Sequence, residues 1–446
     1  MTYYVDPFGC AKNQVDAENM MAFLNKAGWS AAENADAADL VIINSCGFVE
    51  SAKQESINAV LGWRKLYPDK KLLLAGCLAQ RYAKDLAASL PEADGIFGNS
   101  DLPGIVQAAA LAAGEALTDT APSRLPDTGK RPLLSLPGLA YVKISEGCDN
   151  RCSYCAIPLI RGGLRSRTVP DIAKECKTLL KRGIKELCLI GQDTGSFGRD
   201  TGQNLPGLLE ALSRLEGDFR VRFLYVHPDH FPLSMLDIMA SDKRFIPYFD
   251  IPFQHGSEKI LRLMNRRGNA AAYLGLIETI RSRFPDAAMR STFMTGFPGE
   301  TEEDFQMLLD FQEKARLDWL GCFAYSREED TQAWGMKGRV AKKTAAERKR
   351  LVEERQIPIT EKQMERFVGR TFAVLVEEKF EPSDEAPATT GGLSGEDELY
   401  LGRLPCQAPE IDGAAVILSP KPLECGTLVS CRVSARAGFD LQVRPV

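Results

Sequence analysis

Short apolar runs alternate with stretches of helical periodicity along most of this chain of 446 residues. Near the start of the chain the apolar runs are Thr2–Pro7, Asp39–Ile43 and Lys71–Ala75. Strands that are joined through helices run parallel in one sheet, so this order predicts a small doubly wound α/β domain over residues 1–117. Residues 118–137 are rich in proline and have little periodicity, and we predict that they form a linker.

A longer alternation of strands and helices occupies residues 138–366. Its strand-like runs, with helical stretches between them, predict an incomplete (βα)6 barrel, and the polar segment Lys337–Arg366 is predicted to be a connecting helix. In residues 367–446, short β-rich runs are separated by Gly, Pro and Asp, which is typical of a small antiparallel β-barrel. The strand-like runs of the longer region are Ala140–Ser145, Glu186–Ile190, Val221–Val226, Tyr248–Ile251, Met289–Thr295 and Trp319–Tyr325.

The net charge of the chain is concentrated in its last region. The whole chain has 55 Lys and Arg against 60 Asp and Glu, and residues 367–446 contain 12 acidic and 7 basic residues. The net charge of −5 excludes a protein that binds nucleic acid through its whole surface, although a local basic patch remains possible. No apolar run is long enough to span a membrane and no secretory signal is recognisable, so we expect a cytoplasmic protein without membrane contact.

The chain contains 12 cysteines, which in a cytoplasmic protein more often bind metal or carry out redox chemistry than form disulfides. Cys148, Cys152 and Cys155 form a C-x3-C-x2-C motif directly after a predicted strand. Three thiolates at this spacing can bind three irons of a 4Fe–4S cluster and leave the fourth iron open to a substrate or cofactor. The alternatives are a zinc knuckle, which needs a fourth ligand nearby, and free structural cysteines.

Three further cysteines, Cys10, Cys46 and Cys77, each follow the carboxyl end of a predicted strand in the first domain. The carboxyl ends of parallel strands meet at one edge of the sheet, where ligands bind in such folds. Neighbouring glycines would let a bulky cluster approach the backbone, so we predict a second cluster with an open iron. The alternative is that each is an ordinary buried cysteine. We assign structural roles to the other cysteines, which are Cys176, Cys188, Cys322, Cys406, Cys425 and Cys431.

The C-x3-C-x2-C motif, with the aromatic Tyr154 before its last cysteine, resembles the signature of radical S-adenosylmethionine (SAM) enzymes. Together with the second cysteine set, it makes almost the whole chain similar to the methylthiotransferase family. This resemblance implies two [4Fe–4S] clusters, SAM, a low-potential electron donor and a C-terminal TRAM domain. It also implies that the chemistry is carried by the clusters and SAM, so no side chain is assigned a catalytic role. The other matching segments are Gly9–Asn13, Asn44–Gly47, Gly76-Cys77, Arg161-Gly162, Ser166-Arg167 and Gly296–Glu300.

The family includes branches that modify an adenosine of tRNA and a branch that modifies an aspartate of a small-subunit ribosomal protein. A barrel that docks on RNA should be basic, whereas the acidic last region of this chain would attract a basic ribosomal protein. The segments Gly191–Thr194, Asp250–His255 and Arg290–Phe293 also resemble the protein-acting branch. We therefore predict methylthiolation of an aspartate β-carbon, with RNA contacted only through the ribosome. A tRNA methylthiotransferase and a non-catalytic iron–sulfur carrier are the alternatives.

Residues that could contact SAM are predicted near the ends of the barrel strands. Gln192–Thr194 could hold the ribose or methionine end of SAM or merely form a turn, and Gln254 and His255 could line the same cavity or bond only to the barrel rim. Arg290 could bind the SAM carboxylate or the substrate aspartate, or form an ion pair. The turn Gly296–Gly299 lies beside the expected adenine site or is purely structural. The full predicted set is Tyr154, Gln192, Asp193, Thr194, Gln254, His255, Arg290, Gly296 and Gly299.

Overall fold

The structure is a computed structural model that describes residues 1–112, 130–380 and 397–446. Most of the predicted linker, 118–137, lies outside the described residues, so the predicted domain boundaries stay predictions. In the described ranges no helix combines the length and the apolar character that crossing a membrane requires.

Residues 1–112 form a parallel sheet with helices on both faces. Its elements are β1 (Thr2–Pro7), α1 (Ala11–Lys26), β2 (Ser30–Ala31), β3 (Leu40–Ser45), α2 (Glu50–Leu66), β4 (Lys71–Gly76), α3 (Cys77–Ser89), β5 (Gly95–Phe97) and α4 (Ile105–Ala112). The strand order is β2-β1-β3-β4-β5. Ile42 and Leu73 enter one apolar core and their neighbours Ile43 and Leu72 enter another, which buries both faces of the sheet. This is the doubly wound arrangement that the sequence predicts.

The central region forms the predicted incomplete barrel. Its strands lie in two parallel sheets, and these sheets meet where the amide of Val226 donates to the carbonyl of Asp250 at 2.9 Å. The elements are β6 (Leu139–Lys143), β7 (Ser145–Glu146), α5 (Ile157–Arg161), β8 (Arg165–Ser166), α6 (Val169–Lys181), β9 (Glu186–Ile190), α7 (Leu205–Ser213), β10 (Arg220–Phe223), α8 (Met235–Ser241), β11 (Tyr248–Asp250), α9 (Glu258–Leu263), α10 (Ala270–Arg283), β12 (Ala288–Thr295), α11 (Glu302–Ala315), β13 (Trp319–Ala324) and α12 (Lys342–Glu365). The sheets are ordered β10-β9-β6 and β11-β12-β13, and β6 and β13 do not pair among the described residues, so the barrel is open between them.

The last region is a closed five-stranded barrel, here called the C-terminal barrel. Its strands are β14 (Thr371–Phe380), β15 (Glu398–Arg403), β16 (Ala415–Ser419), β17 (Leu428–Ala437) and β18 (Asp440–Pro445). Closure in the order β14-β15-β16-β18-β17 leaves no exposed edge. One pairing differs from the expected antiparallel barrel, because β16 and β18 are parallel. The chain crosses from β16 to pair β17 with β14, so β18 fills the remaining gap in the direction of β16.

The N-terminal region and the C-terminal barrel contact the incomplete barrel at its opposite ends. Lys53 and Arg81 of the N-terminal region form ion pairs of 3.1 and 2.7 Å with Glu328, which follows β13. At the other end, Arg403 of the C-terminal barrel pairs at 2.9 Å with Glu186, the first residue of β9. The loops at the carboxyl ends of the barrel strands therefore lie next to the N-terminal region.

Candidate functional site

The N-terminal triad, Cys10, Cys46 and Cys77, lies on three loops that converge at the carboxyl edge of the first sheet. A Cβ atom placed on Gly9 would lie 3.1 Å from the Cβ of Cys46, and one on Gly47 would lie 2.8 Å from the carbonyl oxygen of Cys77. The strand order reverses between β1 and β3, the strands that precede Cys10 and Cys46, which is where doubly wound folds bind ligands. The structure therefore brings the predicted residues together.

Asn13 ties these three loops to one another. Its side-chain amide donates to the carbonyl oxygens of Phe8, Asn44 and Ser45 at 2.6, 3.2 and 3.0 Å. Its side-chain oxygen lies 3.5 Å from the sulfur of Cys77. Because Asn13 is almost fully buried, these hydrogen bonds hold the loops in one arrangement without competition from water.

The charges around the N-terminal triad differ from one thiol to the next. Desolvation raises the pKa of the Cys10 thiol, but the nearby charges of Lys12 and Arg161 outweigh it and the pKa is lowered. Desolvation raises the pKa of Cys77 to about 12, against the charge of Arg161. Metal binding would deprotonate such a thiol, because a coordinating cation stabilises the thiolate.

The loop triad, Cys148, Cys152 and Cys155, lies in the segment between β7 and β8, which pair and hold its two ends together. The amide of Cys148 donates to the carbonyl of Gly162 at 3.1 Å, and that of Cys155 donates to the carbonyl of Cys152 at 3.0 Å. Desolvation raises the pKa of Cys148 and of Cys155 to about 12. One loop, whose two ends are held together, thus carries all three thiols.

The donor chemistry of both triads fits iron–sulfur clusters. In the described part of the chain, no group of three or more Cys, His, Asp and Glu is arranged to hold a single metal ion. A cluster does not need that arrangement, because each thiolate binds a different iron. Cys176, Cys188 and Cys431 lie in apolar cores, so they offer neither triad a fourth thiolate, and each triad has the donor set of a cluster with one open iron. The Nε2 of His227 lies 3.9 Å from the sulfur of Cys152, which is also the place of a fourth ligand in a Cys3His zinc site.

The two triads are neighbours in space. Cys77 packs against Ala156 and Ile160, which directly follow the loop triad. Arg161, at the end of α5, donates from Nη2 to the sulfur of Cys77 at 3.1 Å. The two cysteine triads, which are far apart in sequence, therefore lie next to each other in the folded protein.

Of the residues predicted after β9, Gln192 is the one with a buried side-chain atom that lacks a hydrogen-bond partner among the described residues. Its Nε2 donates to Glu146 at 2.9 Å, while its buried Oε1 has no partner among the described residues. Asp193 accepts hydrogen bonds from Asn150 and Ser196 at 2.9 and 2.6 Å and so braces the cysteine loop. The hydroxyl of Thr194 donates to a backbone carbonyl at 2.9 Å. Burial raises the pKa of Asp193, but its hydrogen bonds and nearby histidines outweigh this and lower it, so it is ionised at neutral pH.

The residues predicted after β11 and β12 lie on two loops that contact each other. Gln254 has a positive φ of 70°, and its amide donates to the carbonyl of Thr292 at 2.8 Å. His255 is fully buried, with Nε2 3.4 Å from Glu300. Glu300 accepts the amide of Gly296 at 2.9 Å, and a Cβ on Gly296 would lie 2.2 Å from that of Ala345. These residues shape the turn that includes Gly299, which has a φ of 89°.

Tyr154 and Arg290 lie in different surroundings. Tyr154 meets Phe297 edge to face at 6.5 Å, and Phe297 meets Tyr325 at 5.3 Å, which makes an aromatic wall beside the loop triad. Arg290 pairs with Asp250 at 3.0 Å and lies 3.6 Å from Asp412 of the C-terminal barrel. Arg290 is thus held in an ion-pair network in this structure.

The sequence did not reveal a buried network between the triads. Arg161 Nη1 donates to Glu146 at 2.8 Å and lies 2.9 Å from Asp16, and Lys143 pairs with both carboxylates. Arg161-Gly162 matched a family segment, but no role followed from it. The partners come from α1, β6, β7 and α5, and no local spacing links them.

Three family descriptions match the chain: uncharacterized protein family UPF0004 over residues 2–98, the radical SAM superfamily over 142–311 and the TRAM domain over 368–446. A ribosomal protein uS12 methylthiotransferase RimO from Treponema denticola is 45% identical, covering 98% of this chain and 99% of the relative. The chain belongs to the RimO family of radical SAM methylthiotransferases. The RimO proteins of Thermosipho africanus and Syntrophomonas wolfei are 39% and 38% identical, with at least 97% of each chain covered.

Solved structures share the fold of this RimO-family chain. The radical SAM methyltransferase TsrM from Kitasatospora setae superposes with a TM-score of 0.54 at 14% identity, covering 74% of this chain and 76% of TsrM. The predicted fold class is confirmed, as are the predicted enzyme class and its use of SAM and iron–sulfur clusters.

Proposed function

We propose that this enzyme adds a methylthio group to the β-carbon of an aspartate in ribosomal protein uS12. The observation that carries the proposal is the adjacency of the two cysteine triads, with Arg161 of the loop segment hydrogen-bonded to Cys77 at 3.1 Å. Two sites that divide one reaction must lie close enough to act on the same substrate atom. The near full-length similarity to proteins named uS12 methylthiotransferase supports the choice of acceptor.

The residues divide into two sets of ligands. Cys148, Cys152 and Cys155 would hold the cluster that binds SAM, and Cys10, Cys46 and Cys77 would hold the second cluster. When bound, these groups supply a hydrogen-abstracting radical at the first site and sulfur at the second. The aromatic wall of Tyr154, Phe297 and Tyr325 is suited to an adenine ring, and the unpaired Oε1 of Gln192 can accept a hydrogen bond from SAM.

Lys12 supports an acceptor that carries a carboxylate. Its ammonium lies 3.4 Å above the ring of Tyr225, close to Cys10, and it forms no ion pair with any described residue. A cation held by an aromatic face keeps its charge and can still accept an anionic partner. An aspartate side chain bound by Lys12 would thus be brought next to the N-terminal triad.

The charge of the C-terminal barrel also supports a basic protein partner. Residues 367–446 hold 12 acidic and 7 basic residues. Glu377 is used in a buried pair with Arg403 at 2.7 Å, whereas Glu378 and Glu424 are exposed. Exposed acidic residues would attract a basic ribosomal protein and repel bare RNA, so that RNA would be met only within the ribosome.

An electron donor would reach the first cluster from the surface. Cys152 lines an open cavity of about 680 Å³ whose rim includes Arg151 and Arg267. Both arginines are exposed and neither forms an ion pair with a described residue. The lining also includes Arg199 and the carboxylates of Asp149, Asp200 and Asp229, so its charges balance, and it is the opening beside Cys152 that would admit a low-potential electron donor.

The test uses anaerobically reconstituted protein with uS12, SAM and a reductant. We expect about eight irons per chain, as two cubes require, and mass spectrometry should detect a methylthio increment on an aspartate. Cys152→Ala should abolish SAM cleavage, while Cys46→Ala should retain cleavage but stop methylthiolation.

Cys425→Ala is the matched control, because this partly exposed cysteine belongs to neither triad. It should retain both the iron content and the product. Methylthiolation of bulk tRNA but not of uS12, or an iron content of four or fewer, would contradict the proposal.

A further inference from the structure

The Arg161 side chain connects the two cysteine triads. Arg161 ends α5, the helix that follows the loop triad, yet its Nη2 donates to the sulfur of Cys77 at 3.1 Å. Only 3% of the side chain is exposed, so water does not compete for this hydrogen bond. Arg161 thus lies on the chain segment that carries the loop triad, but its guanidinium contacts a cysteine of the N-terminal triad.

The other side of the guanidinium is fixed by two carboxylates. Arg161 Nη1 donates to Glu146 at 2.8 Å and lies 2.9 Å from Asp16. Glu146 stands at the start of the cysteine loop, and it also accepts a hydrogen bond from Gln192 at 2.9 Å. Arg161 cannot turn away from Cys77 without leaving buried charges unpaired, which is costly.

The buried charges of this network are balanced before any cluster binds. Lys143 pairs with Asp16 and Glu146, so two cations face two carboxylates. A thiolate at Cys77 and the cluster on it would add negative charge next to the guanidinium. Arg161 is the cation in direct contact with that added charge.

We propose that Arg161 is a positioning residue that raises the reduction potential of the cluster bound by the N-terminal triad and holds that cluster in place against the cysteine loop. The inference rests on the proposed function, because it requires a cluster at this triad. Reduction adds one electron, and a charged donor to a ligand sulfur stabilises the more negative, reduced form. Loss of Arg161 should therefore lower the potential.

The experiment isolates the N-terminal cluster. In full-length protein carrying Cys148→Ala, Cys152→Ala and Cys155→Ala, only this cluster should remain, with about four irons per chain. Its midpoint potential is measured by redox titration followed by electron paramagnetic resonance. Adding Arg161→Met should shift the reduction equilibrium by about tenfold toward the oxidised form, which is about 59 mV for one electron. Arg161→Lys should give a smaller shift, because it keeps the charge but not the fork of donors.

Arg167→Met is the matched control. Arg167 is a buried arginine of the same region that pairs with Glu175 and touches no cysteine, so the potential should not change. If Arg161→Met alone loses the cluster, the charge-balanced pair Arg161→Met with Asp16→Asn replaces it. The inference is overturned if the potential of the cluster is unchanged both in Arg161→Met (or, where that variant loses the cluster, in Arg161→Met with Asp16→Asn) and in Arg161→Lys. A parent protein without the four irons contradicts the two-cluster function itself, which is a separate result.

Discussion

At the scale of single residues, the surroundings of Lys12 bear on substrate choice. A lysine on the first turn of a helix is usually solvated, but here the ring of Tyr225 lies 3.4 Å from its ammonium. The charges of Cys10 and Tyr225 raise the pKa of Lys12, although desolvation opposes them, so Lys12 is protonated at neutral pH. A permanent cation beside the N-terminal triad suits an acceptor that is itself anionic.

Replacing Lys12 should separate the two halves of the reaction. We expect Lys12→Met to lower kcat/KM for methylthiolation of the aspartate by about 10- to 100-fold, the value of a charged hydrogen bond. SAM cleavage without substrate should persist, because Lys12 does not touch the loop triad. Lys12→Arg should recover part of the activity, since it retains the charge.

Lys26→Met serves as the control for that substitution. Lys26 ends the same helix and is exposed, so its loss should leave both reactions unchanged. Equal kinetics for Lys12→Met and the unmodified enzyme would rule out Lys12 as the carboxylate anchor.

At the scale of elements, the cysteine loop depends on the turn that begins it. Gly147 has a φ of 74°, and a Cβ there would lie 2.1 Å from the carbonyl oxygen of Gly163 and 2.6 Å from that of Gly162. These atoms are backbone, so they cannot move aside without opening the β7–β8 ribbon. The geometry of the loop triad thus requires glycine at this position.

Gly147→Ala should selectively remove the first cluster. We expect the iron content of the reconstituted protein to fall from about eight to about four, with loss of SAM cleavage. The control is Gly183→Ala, where φ is 90° but nothing lies within 4 Å of an added Cβ. Gly183→Ala should lower the free energy of unfolding only by the backbone strain, about 1 kcal/mol, and the protein should keep its iron. Equal iron loss in both variants would show that strain rather than collision is responsible.

At the scale of the whole molecule, the C-terminal barrel is joined to the incomplete barrel through buried polar groups. Arg222 donates to the carbonyl of Pro405 at 3.1 Å, and Trp319 donates to that of Cys406 at 2.7 Å. Tyr248 donates to Asp412 at 2.6 Å. Desolvation raises the pKa of Asp412 to about 6, against the charge of Arg290.

Asp412 should therefore make stability depend on pH. Between about pH 4 and pH 6 the folded protein holds a proton on Asp412 that the unfolded chain has lost, so the contribution of Asp412 to the free energy of unfolding falls as pH rises. The shift corresponds to about 3 kcal/mol across this window, and above it the effect is constant. Asp412→Asn should remove this fall, as measured by urea unfolding of cluster-free protein at several pH values. Glu424→Gln, an exposed substitution in the same barrel, should preserve it.

Much of the fold could be predicted because its helices and strands follow from local hydrophobic patterns in the sequence. The sequence of Glu186–Ile190 has the apolar content expected of a buried strand, and it forms β9. The sequence of Glu50–Leu66 has the periodicity expected of a helix, and it forms α2. The parallel pairing of β16 and β18 could not be predicted, since it depends on which strand reaches the gap when the barrel closes. Alternation identifies strands, but it does not state their partners.

The sequence by itself determined the three-part α/β and β-barrel architecture and the two cysteine triads, because spacing along a loop and position after a strand are local properties. Only the tertiary structure decided which side chains surround them. Arg161 meets Cys77, and Arg290 meets Asp412, across long stretches of chain. Such pairs form when packing removes charged groups from water and each must find the opposite charge. That requirement acts on the folded molecule, so no local pattern reveals it.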